Sequence, residues 1–203
     1  MDLVLATRNP HKTREFRELL WEDFNLIGLT KRPEIQLPDE TGSTFAENAI
    51  LKAVSVSKDR QLQDQHVFAI ADDSGLEVDA LEGAPGIYSA RYAGENATDK
   101  ENIDKLLSKL RARNVTDDKP SARFRCVIAL AKEGKLLGTF EGAIAGIIVD
   151  PPRGSSGFGY DPVFQPNGFK QTFAEMAPEL KNKISHRAKA ITALQETLRD
   201  FEN

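Results

Sequence analysis

The chain has 203 residues, of which 40% are apolar and 29% charged, and these proportions predict a globular protein with a substantial core. A net charge of −4 argues against a general basic surface for duplex nucleic acid, and the single cysteine, Cys126, excludes an intrachain disulfide. Because the chain shows neither a secretory signal nor an apolar run of membrane-spanning length, we expect a cytoplasmic protein without a membrane partner.

The first predicted elements are a buried strand over residues 3–7 and an amphipathic helix after a short loop. Asn9 and Pro10 favour a helix start, since Asn caps free N–H groups and Pro suits the first helical position. Such a junction attracts anions through its N–H groups and the helix dipole, and Lys12 adds a full positive charge. An ordinary capped helix explains the same residues, so both interpretations stay open.

The next predicted elements are a strand over residues 24–30 and a long helix that ends at about Asp59. Ser43 or Thr44 can form a capping box with Glu47, which gives Glu47 a structural role at the start of this helix.

Two charged residues around the same helix have less obvious structural roles. Glu40 lies in the loop before the helix, where capping does not account for it, and it is a candidate metal ligand. Lys52 lies one turn after Asn48 on the same face, and a solvated surface lysine is the alternative to a functional one.

An apolar run over residues 67–71 predicts a strand that is buried on both faces and ends at Asp72 and Asp73. Ser74 and Gly75 then indicate a turn. Two acids at the end of a buried strand predict a cation site, because open α/β sheets bind ligands at the carboxyl ends of their strands. A turn rich in aspartate, with solvated carboxylates, is the alternative.

The middle of the chain carries further elements of mixed type. We predict a strand over 76–81, a loop or short helix over 83–91, a helix over 98–110, and two strands over 123–132 and 135–150. Glu133 and Gly134 between the last two strands predict a hairpin, and the glycines of the second strand suggest a bend or bulge.

A glycine-rich loop follows over residues 153–161. Phe158 and Tyr160 offer aromatic faces that can stack on a base, and Asp161 adds a hydrogen-bond acceptor. A glycine-rich loop alone is more often a plain turn, but these three residues favour a ligand pocket.

The last predicted helix covers about residues 186–201. Its first turn holds His186, Arg187 and Lys189, although the positive end of a helix dipole favours acids. These donors, together with Lys181 just upstream, make better sense if they face an electron-rich ligand.

Taken together, these residues supply the parts of an enzyme that acts on a nucleoside triphosphate with Mg²⁺. The chain lacks a Walker-type loop, which disfavours a P-loop enzyme. A module that binds or senses nucleotides without hydrolysis is the main alternative, and a phosphatase with an aspartate nucleophile is a weaker one. The parts are hydrogen-bond donors for phosphate (Thr7, Asn9, Lys12 and Lys52), acids for a cation (Glu40, Asp72 and Asp73), aromatic rings for a base (Phe158 and Tyr160) and hydrogen-bond donors for a base edge (Lys181 and Arg187).

Six segments follow one another along nearly the whole chain: 5–12 (LATRNPHK), 40–49 (ETGSTFAENA), 71–75 (ADDSG), 83–91 (GAPGIYSAR), 157–162 (GFGYDP) and 185–187 (SHR). Together they closely resemble the inosine triphosphate pyrophosphatase family. One departure is Arg8, where the family often has glycine, and it raises the question of the local backbone geometry.

The resemblance implies a mixed α/β fold in which residues 1–203 form a single domain of two lobes, with a long mixed sheet, flanking helices and the active site in the cleft between the lobes. It also implies a homodimer and the hydrolysis of ITP, dITP and XTP to a nucleoside monophosphate and pyrophosphate. Glu40 and Asp73 would bind Mg²⁺, and Asp73 would act as the general base. The substrate would contact Thr7, Arg8, Asn9, Pro10, His11, Lys12, Lys52, Ser74, Phe158, Gly159, Tyr160, Asp161, Lys181, His186 and Arg187.

The residue chemistry predicts the same specificity. Lys and Arg side chains only donate hydrogen bonds, and inosine and xanthosine present a 6-oxo acceptor where adenosine presents an amino donor. Such a site can discriminate by a factor of roughly 10⁴. GTP also carries a 6-oxo group, so its rejection requires another feature, such as steric exclusion of the 2-amino group.

Overall fold

A computed structural model of the chain describes residues 1–22, 24–64, 67–113 and 119–201. Within these ranges, no helix combines the length and the apolar composition that crossing a membrane requires. The strands are β1 (Asp2–Leu5), β2 (Asn25–Gly28), β3 (Phe68–Val78), β4 (Ser121–Lys132), β5 (Lys135–Ile148) and β6 (Phe164–Pro166). The helices are α1 (Pro10–Leu19), α2 (Phe45–Ser57), α3 (Arg60–Asp64), α4 (Asp99–Ala112), α5 (Pro178–Ile184) and α6 (His186–Asp200).

The strands form a six-stranded sheet in the order β2-β1-β3-β4-β5-β6. β1 pairs in parallel with β2 and β3, with Leu3 opposite Leu26 on one side and Phe68 on the other. β6 pairs antiparallel with β5. The combination of parallel and antiparallel pairs with flanking helices confirms the predicted mixed α/β fold.

Local sequence signals set several element boundaries. Asn9 caps α1, with Pro10 in its first turn, and Thr44 caps α2. Glu133 and Gly134 both have positive φ angles, 51° and 78°, in the two-residue turn between β4 and β5. The predicted helix starts and the predicted hairpin are therefore confirmed.

Strand β3 differs from the sequence-based prediction. It runs without a break through Asp72, Asp73, Ser74 and Gly75, so the predicted turn at these residues is wrong. The low strand propensity of aspartate is overridden because both carboxylates are buried against partners from other elements.

Gly146 in β5 has a packing role. A Cβ atom at this position would collide with the carbonyl oxygen of Gln165 in β6 and with the ring of Phe164. The glycine therefore permits the close approach of the neighbouring strand.

The chain forms two compact units. The first contains Met1–Asp73, Cys126–Gly142 and Arg187–Asn203, and the second contains Ser74–Arg125 and Ala143–His186. The first unit packs a core that includes Leu3, Leu5, Phe16, Ile70, Ile128 and Leu194. The second unit packs its own core, which includes Leu76, Leu106, Phe124, Val163, Phe164 and Phe173.

Candidate active site

The junction between β1 and α1 is built by its own polar side chains. The Asn9 Oδ1 atom accepts hydrogen bonds from the backbone N–H groups of His11 (2.9 Å) and Lys12 (3.3 Å). The Thr7 hydroxyl, which is buried, accepts one from the N–H of Asn9 at 3.2 Å. The predicted helix cap is thus present, and the contact of Thr7, Asn9, Pro10 and His11 with phosphate stays a prediction.

Arg8 is hydrogen-bonded to the backbone of the loop that contains Pro33 and Ile35, in the first unit. Its guanidinium donates hydrogen bonds to the carbonyl oxygens of Pro33 (3.3 Å) and Ile35 (2.9 Å). Among the described residues other than glycine, the positive φ angles are those of Glu82 and Glu133, so the backbone at Arg8 does not need glycine. The departure from the family pattern at this position is therefore accommodated without backbone strain.

Asp72 is buried and pairs with two cationic side chains. Its Oδ2 atom is 3.0 Å from Lys12 Nζ and 3.2 Å from Arg187 Nη2. Arg187 also donates through Nη1 to the carboxylate of Glu15. Burial alone would raise the pKa of Asp72, but the charges of Lys12, Arg187 and Lys52 outweigh burial and lower this pKa well below its ordinary value. Asp72 is consequently held in its ionised form.

Lys52 joins the second group of charges. Its Nζ atom donates to Glu40 Oε1 (2.6 Å) and to the backbone oxygen of Asp72 (2.9 Å), and it lies 3.7 Å from Asp73 Oδ1. Asn48 Nδ2 donates to the other Asp73 oxygen at 3.1 Å. The predicted metal ligands Glu40 and Asp73 are thus directed toward one positive charge.

Asp73 differs from Asp72 in its electrostatic environment. Burial raises the pKa of Asp73 above its ordinary value, and the nearby charges of Lys52 and Lys12 only partly offset this effect. The pKa of Lys52 is also raised, because the three carboxylates around it outweigh its burial. Of the two adjacent aspartates, Asp73 is therefore the better proton acceptor.

We call this set of side chains the charge cluster, and all of it lies in the first unit. Sequence reasoning missed Glu15, which lies three residues after Lys12 and thus on the same face of α1. The charge cluster consists of Lys12, Glu15, Glu40, Lys52, Asp72, Asp73 and Arg187.

In the second unit, residues 157–161, which we call the Phe158 loop, are folded around Asp161. The Asp161 Oδ2 atom accepts hydrogen bonds from the Phe158 N–H (3.0 Å) and from Lys181 Nζ (2.6 Å). Lys181 Nζ lies 5.3 Å from the centroid of the Phe158 ring. Gly157 has a φ angle of 79°, and a Cβ atom there would collide with Asp161. Asp161 and Lys181, both predicted as separate substrate contacts, are thus bonded to each other.

The remaining predicted residues of the second unit have mixed environments. Tyr160 belongs to the hydrophobic core, and its hydroxyl donates to the carbonyl oxygen of Ser89 at 2.9 Å. The buried His186 ring stacks on Phe124, with centroids 4.8 Å apart. Phe158 and Ser74 are half-buried. Phe158 is therefore better placed than Tyr160 to offer a ring face, and the substrate contacts of all four stay predictions.

Comparisons with known proteins identify the family of this chain. The chain is 48% identical over 197 residues to a dITP/XTP pyrophosphatase of Shouchella clausii, with 97% of this chain and 96% of that protein covered. It is 45% identical to one of Bacillus licheniformis, with 97% of each chain covered. A solved Ham1 protein structure from Coxiella burnetii superposes with a TM-score of 0.85 at 44% identity, covering 98% of this chain and 99% of that chain. The resemblance stated from the sequence is confirmed, and since the Ham1 family model matches residues 3–197, the chain belongs to the Ham1 family.

Proposed function

We propose that this protein hydrolyses the deaminated purine nucleoside triphosphates ITP, dITP and XTP to a nucleoside monophosphate and pyrophosphate. The charge cluster is the observation that carries the proposal, because it brings together cations for phosphate oxygens and acids for a metal ion and a water molecule. Relatives that bear the name dITP/XTP pyrophosphatase, at 45% and 48% identity, support the same reaction.

We infer that Mg²⁺ is the cation of this site, with Glu40 and Asp73 as its protein ligands. Both carboxylates already face one cation, the ammonium group of Lys52. Among the described residues, no group of three or more His, Cys, Asp or Glu side chains is placed to hold a metal. A pair of carboxylates suits Mg²⁺, which usually keeps water and substrate phosphates as its other ligands. When bound, Mg²⁺ would neutralise charge on the phosphate oxygens.

The residues of the charge cluster would have separate roles in binding or catalysis. Lys12 and Lys52 would bind phosphate oxygens and offset the negative charge that develops on pyrophosphate as it leaves. Asp73, whose carboxylate is oriented by Asn48, would accept the proton of the attacking water. Asp72, held ionised, would position Lys12.

In the second unit, Phe158 would stack on the base, and Lys181 would donate to its 6-oxo group while it remains bonded to Asp161. Arg187, assigned from the sequence to the base, has its guanidinium bonded to Glu15 and Asp72. Its contact with the base stays a prediction, and its observed contacts give it a role in the charge cluster.

Product analysis tests the proposed reaction. The protein, incubated with ITP, XTP or ATP and Mg²⁺, should release one pyrophosphate for each monophosphate from ITP and XTP. The ratio kcat/KM should be at least about 10²-fold lower for ATP, whose 6-amino group cannot accept a hydrogen bond. Orthophosphate as the only product, or ATP as the best substrate, would contradict the proposal.

Metal dependence is tested by the Glu40→Gln variant. Chelation of divalent cations should abolish pyrophosphate release by the unmodified protein, and Mg²⁺ should restore it. The variant lacks one of two carboxylate ligands, so its half-activating Mg²⁺ concentration should rise at least about tenfold, or about 1.4 kcal/mol. Glu34→Gln, at a side chain that is 45% exposed, is the control and should behave like the unmodified protein. Equal Mg²⁺ requirements in all three proteins would remove Glu40 from the metal site.

The alternative, a nucleotide sensor without hydrolysis, draws no support from the relatives named above. Tight binding of ITP with no turnover in Mg²⁺ would favour it. The homodimer and the cytoplasmic location stay predictions.

A further inference from the structure

Asp99, at the start of α4, makes a contact with the Phe158 loop that neither the motifs nor the proposed reaction explains. Its Oδ2 atom accepts a hydrogen bond from the backbone N–H of Gly159 at 2.7 Å, across 60 residues of sequence. Gly159 has a φ angle of 61°. The contact therefore fixes the loop at a residue whose backbone conformation glycine adopts readily.

Helix α4 does not need Asp99 for its capping. Thr98 is the N-cap residue, its hydroxyl accepts from the N–H of Glu101 at 3.3 Å, and Glu101 Oε2 accepts from the N–H of Thr98 at 2.7 Å. This reciprocal pair is a complete capping box, formed without the Asp99 side chain. The Asp99 carboxylate is thereby available to the loop.

Three consecutive residues of the Phe158 loop are each held by a hydrogen bond. The Phe158 N–H is bonded to Asp161, the Gly159 N–H to Asp99, and the Tyr160 hydroxyl to Ser89. The bond to Asp161 lies within the loop, whereas the Asp99 bond ties the loop to a helix. Without it, the peptide group directly after Phe158 loses its fixed partner.

We propose that Asp99 is a positioning residue for nucleotide binding, which acts by holding the Phe158 loop in the conformation that presents the Phe158 ring to the base. This inference rests on the proposed function, because it takes Phe158 as the base-stacking residue. It predicts an effect on substrate affinity and little effect on the chemical step, since Asp99 lies outside the charge cluster.

The test compares three variants of the full-length protein. Asp99→Ala should raise KM for ITP about fivefold, the scale of one lost hydrogen bond, with kcat close to that of the unmodified protein. Asp99→Asn keeps an acceptor oxygen and should restore most of the affinity. Glu101→Ala breaks the capping pair without removing a partner of the loop, so it should lower thermal stability but leave KM unchanged.

A second comparison separates an effect through the loop from a general one. In a Phe158→Ala background, Asp99→Ala should produce no further rise in KM, because the ring that it positions is gone. Calorimetric binding of ITP in the presence of a chelator, which stops the proposed hydrolysis, gives the same comparison without turnover, so it tests the inference even if pyrophosphate is not the product. An unchanged KM and binding constant in Asp99→Ala, or an equal change in Glu101→Ala, would overturn the inference while leaving the proposed hydrolysis intact.

Discussion

Replacing Asp73 with Asn should lower kcat for ITP by about 10²- to 10⁴-fold, the range that a general base contributes, while the protein still folds. Asn has the shape of Asp but lacks a carboxylate that can accept the proton of water. Burial raises the pKa of Asp73, so the charge removed is one that its environment disfavours, and the loss of stability should be small. Pyrophosphate release at saturating ITP and Mg²⁺, together with thermal unfolding, measures both effects.

Asp79→Asn is the matched control for this variant. Asp79 follows the same strand, β3, but it is exposed, so the same chemical change should leave kcat near that of the unmodified protein. Removal of a general base is expected to lower kcat by more than about tenfold. If the kcat of Asp73→Asn lay within about tenfold of the kcat of Asp79→Asn, Asp73 would therefore not be the general base.

The parts of the fold that sequence predicted well are those set by neighbours in the chain. The starts of α1 and α2 follow from Asn9 and Thr44, whose side chains bond to N–H groups two or three residues later. The turn at Glu133 and Gly134 is equally local. Such signals need no knowledge of the rest of the molecule, which explains why they could be predicted.

The path of β3 could not be predicted in this way. Two adjacent aspartates before Ser-Gly indicate a turn, and only distant partners, such as Arg187 and Lys12 for Asp72, make a buried strand possible. The continuous strand in turn explains why the two acids differ. Successive strand residues point to opposite faces, so Asp72 and Asp73 acquire separate main partners and opposite pKa shifts.

The candidate site was predicted from residue types and from the family resemblance, but the pairing of those residues was not. Lys181 and Asp161 were assigned individually to the base, and the structure joins them in a buried ion pair. Arg187 carried one overlooked signal, because it lies four residues before Ile191 and hence on the buried face of α6. Pairing between residues that are distant in sequence decides which charges remain available to a substrate. A local sequence pattern carries no information about this pairing.

Replacing Arg187 with Met should lower the free energy of unfolding by about 3–5 kcal/mol, the usual cost of breaking a buried ion pair by removing one partner. The Arg187 side chain is 2% exposed and bonded to Glu15 and Asp72. Met fills much of the same volume but leaves two buried carboxylates without this cation. Urea denaturation followed by circular dichroism measures the loss.

Arg111→Met provides the control, because Arg111 is 60% exposed and pairs with Asp150 on the surface at 2.6 Å. Breaking such an exposed pair should cost less than about 1 kcal/mol. The double variant Glu15→Gln with Arg187→Met also removes the negative charge of Glu15, one of the two carboxylates that Arg187→Met leaves without their arginine. Its loss of stability should therefore be smaller than the sum of the losses in the two single variants. Equal losses in Arg187→Met and Arg111→Met, or strict additivity with Glu15→Gln, would show that Arg187 does not hold the charge cluster together.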